Sequence, residues 1–248
     1  MVVTWGLGRK SHAAALRSLG ELAYSACEYR SILDAATTRH GDHHPVTVNA
    51  RFEWAMALGR VGRTDDAVSE MRKVLALQER VLGGSHRNVA SVRASLGTLL
   101  LQQGCLAEAE EQLRQALNAL PEDDGSCLDV RHDLVAVLHA RGKLREAIRQ
   151  LREIADEERQ RSGATHLDAI NARNSLGVAL KDFGSLDEAA AVYREALKDA
   201  TCKHSDDQPL VLTLRRNLAV VMRIQGQSRR SGEGAGGDPG DPGTQARA

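Results

Sequence analysis

The sequence predicts an all-α fold, a superhelical solenoid of about eleven helices, and three observations carry that prediction. Glycines recur at Gly20, Gly62, Gly104, Gly142, Gly184 and Gly226, with steps of 42, 42, 38, 42 and 42 residues. An arginine stands eleven residues before each: Arg9, Arg51, Arg93, Arg131, Arg173 and Arg215. Apolar residues on both sides of the glycines follow helical spacing.

Each repeat reads as a helix, a turn and a second helix. Around Gly142, Leu134, Val135 and Leu138 form the apolar stripe of the first helix, and Leu144, Ala147, Ile148 and Leu151 that of the second. Glycine tolerates the positive φ that ends many helices and lets the chain reverse tightly. Five residues past four of the glycines stands an alanine preceded by an acid (Ala67, Ala109, Ala147, Ala189), small enough for two helices to approach closely. Ser185 and Glu188 read as a capping box starting a second helix. A hairpin of this kind cannot bury its apolar face alone, whereas stacked copies cover one another.

The array is expected to span residues 1–226 as five helix pairs followed by a single capping helix, Leu210 to Gln225. The shorter 38-residue step falls at "LPEDDGSCLD", which predicts a shortened second helix in the third pair. Residues 227–248, "QSRRSGEGAGGDPGDPGTQARA", are rich in Gly, Pro and Ser without apolar periodicity and read as a disordered tail.

Composition narrows the functions. Lys+Arg and Asp+Glu are both 33, which argues against an electrostatic grip on nucleic acid or on an acidic membrane. No apolar run approaches the roughly 20 residues needed to span a bilayer. Cys27, Cys105, Cys127 and Cys202 are dispersed, without a C-x-x-C pair, as suits a reducing compartment. A cytoplasmic protein is the expectation.

The stretch "RHGDHHP" (residues 39–45) gathers His40, Asp42, His43 and His44, as a metal site would. His44 lies 18 residues before a turn glycine, however, and so do His86 and His166, with Gln208 in the last copy. The stretch therefore reads as one copy of a recurring linker that enters a helix, and no metal or other cofactor is expected. Nucleophile elbows, phosphate-binding loops and zinc-protease motifs do not occur, so the chain does not read as an enzyme.

At Leu176-Gly177 with Leu180, at Leu96-Gly97 with Leu100, and at Ala189 with Tyr193, the chain resembles the tetratricopeptide repeat. The 42-residue step and linkers such as "ERVLGGSHRN" resemble the kinesin-light-chain type, and the Arg- and Ala-rich composition resembles actinomycete arrays. The family's Trp position is arginine throughout, and Asn174 and Asn217 are single where kinesin-light-chain repeats carry paired asparagines.

The resemblance implies a right-handed superhelix whose first helices line a concave groove, with positions −13, −10, −6 and −3 from the turn glycine pointing inward. Those positions here include Asn49, Phe52, Met56, Thr98, Asp129, His132, His139, Asn171, Asn174, Lys181, Arg216 and Arg223. They vary from repeat to repeat, as a groove for an extended peptide or a partner's helix does. The constant arginine at −11 reads as structural. The expected function is a protein-interaction scaffold binding a peptide or partner protein. An alternative is a sensor or regulatory segment of a larger nucleotide-binding signalling ATPase or transcription regulator. That reading rests on a first helix starting almost at Met1 and on the resemblance to arrays that trail such domains. Self-association through an uncapped first repeat is a further expectation.

Overall fold

A computed structural model describes residues 21–121, 125–203 and 205–234, with side chains described as far as Gln227. The described residues form ten α-helices and no strand. The first helix expected from the sequence, and the turn at Gly20, lie outside them. The described residues thus form the all-α array of helix-turn-helix repeats expected from the sequence. They divide into two units, each taken by itself.

The first unit contains α1 (Leu22–His40), α2 (Pro45–Arg60), α3 (Thr64–Leu82), α4 (Arg87–Gln103), α5 (Leu106–Ala119) and α6 (Ser126–Ala140). Each helix packs on the next, and α4 also touches both α2 and α6, so first helices neighbour first helices. The second unit contains α7 (Leu144–Ser162), α8 (Leu167–Phe183), α9 (Leu186–Thr201) and α10 (Pro209–Gly234), with α10 packed on both α9 and α8. α5, the second helix of the third pair, has 14 residues where α3 and α7 have 19. The shortening expected from the 38-residue step is present.

Gly62, Gly104, Gly142 and Gly184 all take positive φ at the expected turns. Gly226 does not, because it lies within α10 and the helix runs on through it. α10 continues to Gly234, past the helix end expected at Gln225 and into the segment read as tail; no proline occurs in the chain between Pro209 and Pro239 to stop it. Residues 235–248 lie outside the described ones.

The linkers are more regular than the sequence suggested. Gly41, Gly83 and Gly163 each end a second helix at positive φ. Three residues later comes the histidine, and its ring is a helix cap. Nδ1 of His44, His86 and His166 accepts the backbone N–H of Val46, Asn88 and Asp168 at 3.2, 3.1 and 3.4 Å. A side-chain acceptor here satisfies one of the amides left over at a helix start. The capping box read at Ser185 does not form. Ser185 makes no side-chain cap bond. Its N–H closes the turn onto the Leu180 carbonyl at 2.9 Å, and Glu188 reaches out to Arg152 instead of back to the helix start.

The hairpins close through small residues opposite large ones. A β-carbon at Gly177 would fall 2.6 Å from the Tyr193 ring, and one at Gly97 2.6 Å from Leu113. Tyr193 and Leu113 are fully buried. Only glycine lets the first helix come this near.

Candidate functional site

Four of the constant arginines, Arg51, Arg93, Arg173 and Arg215, are engaged within the array. Arg51 binds Glu70 at 2.8 Å and Asp42 at 2.9 Å, and Arg93 binds Glu79. Arg173, 7% exposed, pairs with Asp199 at 2.6 Å and donates to the carbonyls of Ala169 and Ala164, and Arg215 pairs with Asp206. Apart from the Ala169 carbonyl of Arg173's own helix, their partners come from the second helix of the same pair, from the preceding second helix or from the preceding linker. Each guanidinium thus ties a first helix to its surroundings and is not displayed for a ligand.

The candidate inward positions behave otherwise. In the first unit Asn49, Phe52 and Met56 lie on α2 at intervals of three and four residues, hence on one face; Asn49 is exposed and the other two are half-buried. Thr98, half-buried on α4, donates its hydroxyl to Asp133 Oδ2 on α6 at 2.7 Å. Asp129 is exposed on α6, and His132 and His139 are half-buried there. In the second unit Asn171 is exposed on α8, where Asn174 and Lys181 are half-buried. Asn217 donates to Asn174 Oδ1 at 2.9 Å, joining α10 to α8, while Lys181 lies 3.1 Å from the carboxylate of its neighbour Asp182. Arg216 and Arg223 are exposed on α10.

The two bonds between first helices involve Asp133, which the sequence reading missed, and Asn217, which it named only for its family resemblance and not as an inward position. Asp133 and Asn217 both stand nine residues before a turn glycine. In the other described repeats that position holds Glu53, Ser95 and Ser175, so the column is polar throughout, and all five side chains are half-buried. A polar column wedged beside the apolar −8 column was the signal that would have found it.

Titratable groups with displaced pKa values are held by structural partners. Burial would raise Glu110, yet hydrogen bonds from Lys143 and Arg114 and the charges of Lys143 and Arg141 outweigh it and bring the carboxyl down to about 2. Burial, then the charge of Asp182, pushes the Tyr193 hydroxyl up to about 12. Among the described residues no three His, Cys, Asp or Glu side chains are gathered as metal ligands. His40 and His44 stack with ring centroids 4.6 Å apart, and His43 lies beside Arg80. No described helix is long and apolar enough to cross a membrane.

Models of the tetratricopeptide repeat match residues 46–122 and 135–201, together more than half of the chain. The chain belongs to the tetratricopeptide repeat family. Tetratricopeptide repeats are protein-interaction scaffolds that bind protein or peptide partners, and the fold is typically non-enzymatic. No curated protein matches the chain in sequence. Among solved structures, it resembles the nearly identical kinesin-light-chain TPR-like repeats of Podosopora anserina, with a TM-score of 0.73 at 20% identity, over 80% of this chain and 96% of that one. BtubC (BKLC) from P. vanneervenii aligns over 94% of this chain and 96% of its own, at a TM-score of 0.63 and 17% identity. YrrB, described as a tetratricopeptide protein with an unusual peptide-binding site, aligns at 0.50 and 17% identity over 78% of this chain and 84% of its own. At such identities the likeness is one of fold.

Proposed function

We propose that this tetratricopeptide array is a protein-interaction scaffold that binds a peptide segment or partner protein along the groove face of its first helices. One observation carries the reading. The repeating residues Gly62, Gly104, Gly142 and Gly184, the capping histidines and the arginines Arg51, Arg93, Arg173 and Arg215 are consumed in building the array, whereas the varying positions on the first helices stay exposed or half-buried. The varied set offers amides at Asn49, Asn171 and Asn174, apolar bulk at Phe52 and Met56, and cations at Lys181, Arg216 and Arg223. An extended backbone is held by side-chain amides, and its side chains by alternating apolar and charged contacts. The scaffold itself requires no reaction, metal or cofactor for this, and site chemistry rather than fold decides what is bound.

The test is capture of partners by the wild-type chain and by Asn171→Ala and Lys181→Glu variants. Loss of the same partners from both variants, with helicity unchanged, supports the face; survival of every partner in both removes it.

A further inference from the structure

Successive hairpins are clamped at their turn edge in a fixed register, where the residue three places after one turn glycine meets the residue one place before the next. Asp65 accepts a hydrogen bond from Gln103 at 2.6 Å, and Asp187 accepts one from Gln225 at 2.7 Å. Arg145 and Phe183 fill the same two places with a guanidinium 5.6 Å from the ring centroid. Three clamps therefore use two chemistries in one geometry.

Two pairs of positions remain: Ala23 and Val61, both apolar, with Val61 packed against the core, and Ala107 and Arg141, where no clamp forms. Ala107 has nothing to offer, and Arg141 turns to Glu110 on α5 instead. What stays open is a notch of about 580 Å³ lined by Gly104, Cys105, Leu106, Ala107, Glu108 and Arg141. The depression beside the Asp65–Gln103 clamp is about 320 Å³.

The floor and walls of the notch differ in kind. Leu106, Ala107 and the glycine are apolar, while Arg141 supplies a charged wall with 30% of its side chain exposed. The Glu110 carboxylate that Arg141 touches already holds Lys143 at 2.8 and 3.0 Å and Arg114 at 2.9 Å, and Glu108 is taken by both its oxygens at 2.8 Å from Arg72. Arg141 and Lys143 thus share one carboxylate that is not theirs alone, and positive charge is in excess at the wall. A guanidinium has five N–H donors, and a single contact leaves most of them for another acceptor.

We propose that this notch receives a glutamate or aspartate side chain from an acidic segment of a protein partner, which completes from outside the clamp that Ala107 leaves unmade. The methylenes of the incoming side chain lie on Leu106 and Ala107, and its carboxylate meets Arg141. This contact rests on the reading of the array as a protein-binding scaffold but not on the first-helix face, and it lies at the turn edge.

Cys105 lines the notch and is exposed, as are Cys27 and Cys202 elsewhere, so disulfide tethering reads the notch directly. The full chain is equilibrated with the symmetric disulfides of three capped pentapeptides, Gly-Cys-Gly-X-Gly, in which X is Glu, Gln or Lys; each exchange releases one peptide thiol, and mixed disulfides are quantified cysteine by cysteine. The expected result is a Glu-over-Lys preference at Cys105 about fivefold above that at Cys27 and Cys202, the size of one exposed charge contact. Arg141→Gln should abolish the preference, and Ala107→Asp, which rebuilds the clamp within the chain, should abolish it with Arg141 still present. An equal ratio at the three cysteines, or a preference for Gln or Lys at Cys105, overturns the proposal. Loss of partners from Asn171→Ala and Lys181→Glu variants is a separate outcome, so failure at one place is distinguishable from failure at the other.

Discussion

The amide of Asn217 donates to Oδ1 of Asn174, 43 residues earlier in the chain, across 2.9 Å, and this bond joins α10 to α8. Thr98 and Asp133 make the equivalent tie between α4 and α6. Neighbouring first helices are therefore held together by polar contacts beside the candidate binding positions. Replacing Asn217 with Leu leaves Asn174 without its partner. The expected cost is about 1 kcal/mol in urea unfolding, the usual net value of one such bond. A variant as stable as wild type would show that the bond does not organise this face.

The approach of α8 to α9 depends on the absence of a side chain at Gly177. Gly177→Ala is expected to destabilise the chain by about 1–3 kcal/mol, because the new carbon meets the Tyr193 ring and neither helix can yield without disturbing a packed core. Tyr193→Phe should be neutral or slightly stabilising, since the buried hydroxyl has no hydrogen-bond partner among the described residues. Thermal unfolding of the two variants checks both statements, and the reverse order would refute them.

His86 caps α4 through a ring nitrogen that must be unprotonated to accept. His86→Ala should cost about 1 kcal/mol, while His86→Asp should retain or improve stability because aspartate is a stronger cap. Equal losses in both variants would mean that the imidazole acts through something other than its acceptor.

Glu110 gives the array a defined acid limit. Its carboxyl is depressed from 4.5 to about 2, so its contribution is fully present above pH 4.5 and is lost as pH falls through about 2. Glu110→Gln should lower stability at neutral pH by about 2 kcal/mol, a figure reduced for the solvent around its partly exposed partners. The gap between variant and wild type should close as pH approaches 2. A gap that stays constant from pH 6 to pH 2.5 would refute the assignment.

Much of the fold is legible in the sequence because turn chemistry repeats. Gly62, Gly104, Gly142 and Gly184 need positive φ, and their spacing alone places eight of the helices on either side of four turns. The shortened α5 follows from the same arithmetic. What escaped is contact-dependent. Ser185 looked like a capping residue, but its backbone belongs to the preceding turn and leaves its side chain uncommitted. The histidines repeat visibly, yet their capping role depends on a ring orientation that periodicity does not encode. Asp133 was missed, and Asn217 was not placed among the inward positions, because the polar −9 column adjoins a stronger apolar one. The open notch could not be read at all, since it consists of a contact that Ala107 fails to make.

Whether partners meet the first helices is decided by site-specific photo-crosslinking. A photoreactive residue is placed at Met56 or Asn171 on first helices, and at Ser69 or Arg194, exposed on α3 and α9. A partner seated on the first helices gives adducts from Met56 and Asn171 and none from Ser69 and Arg194. Adducts of equal yield from both sets, or from the second-helix set alone, would contradict that seating.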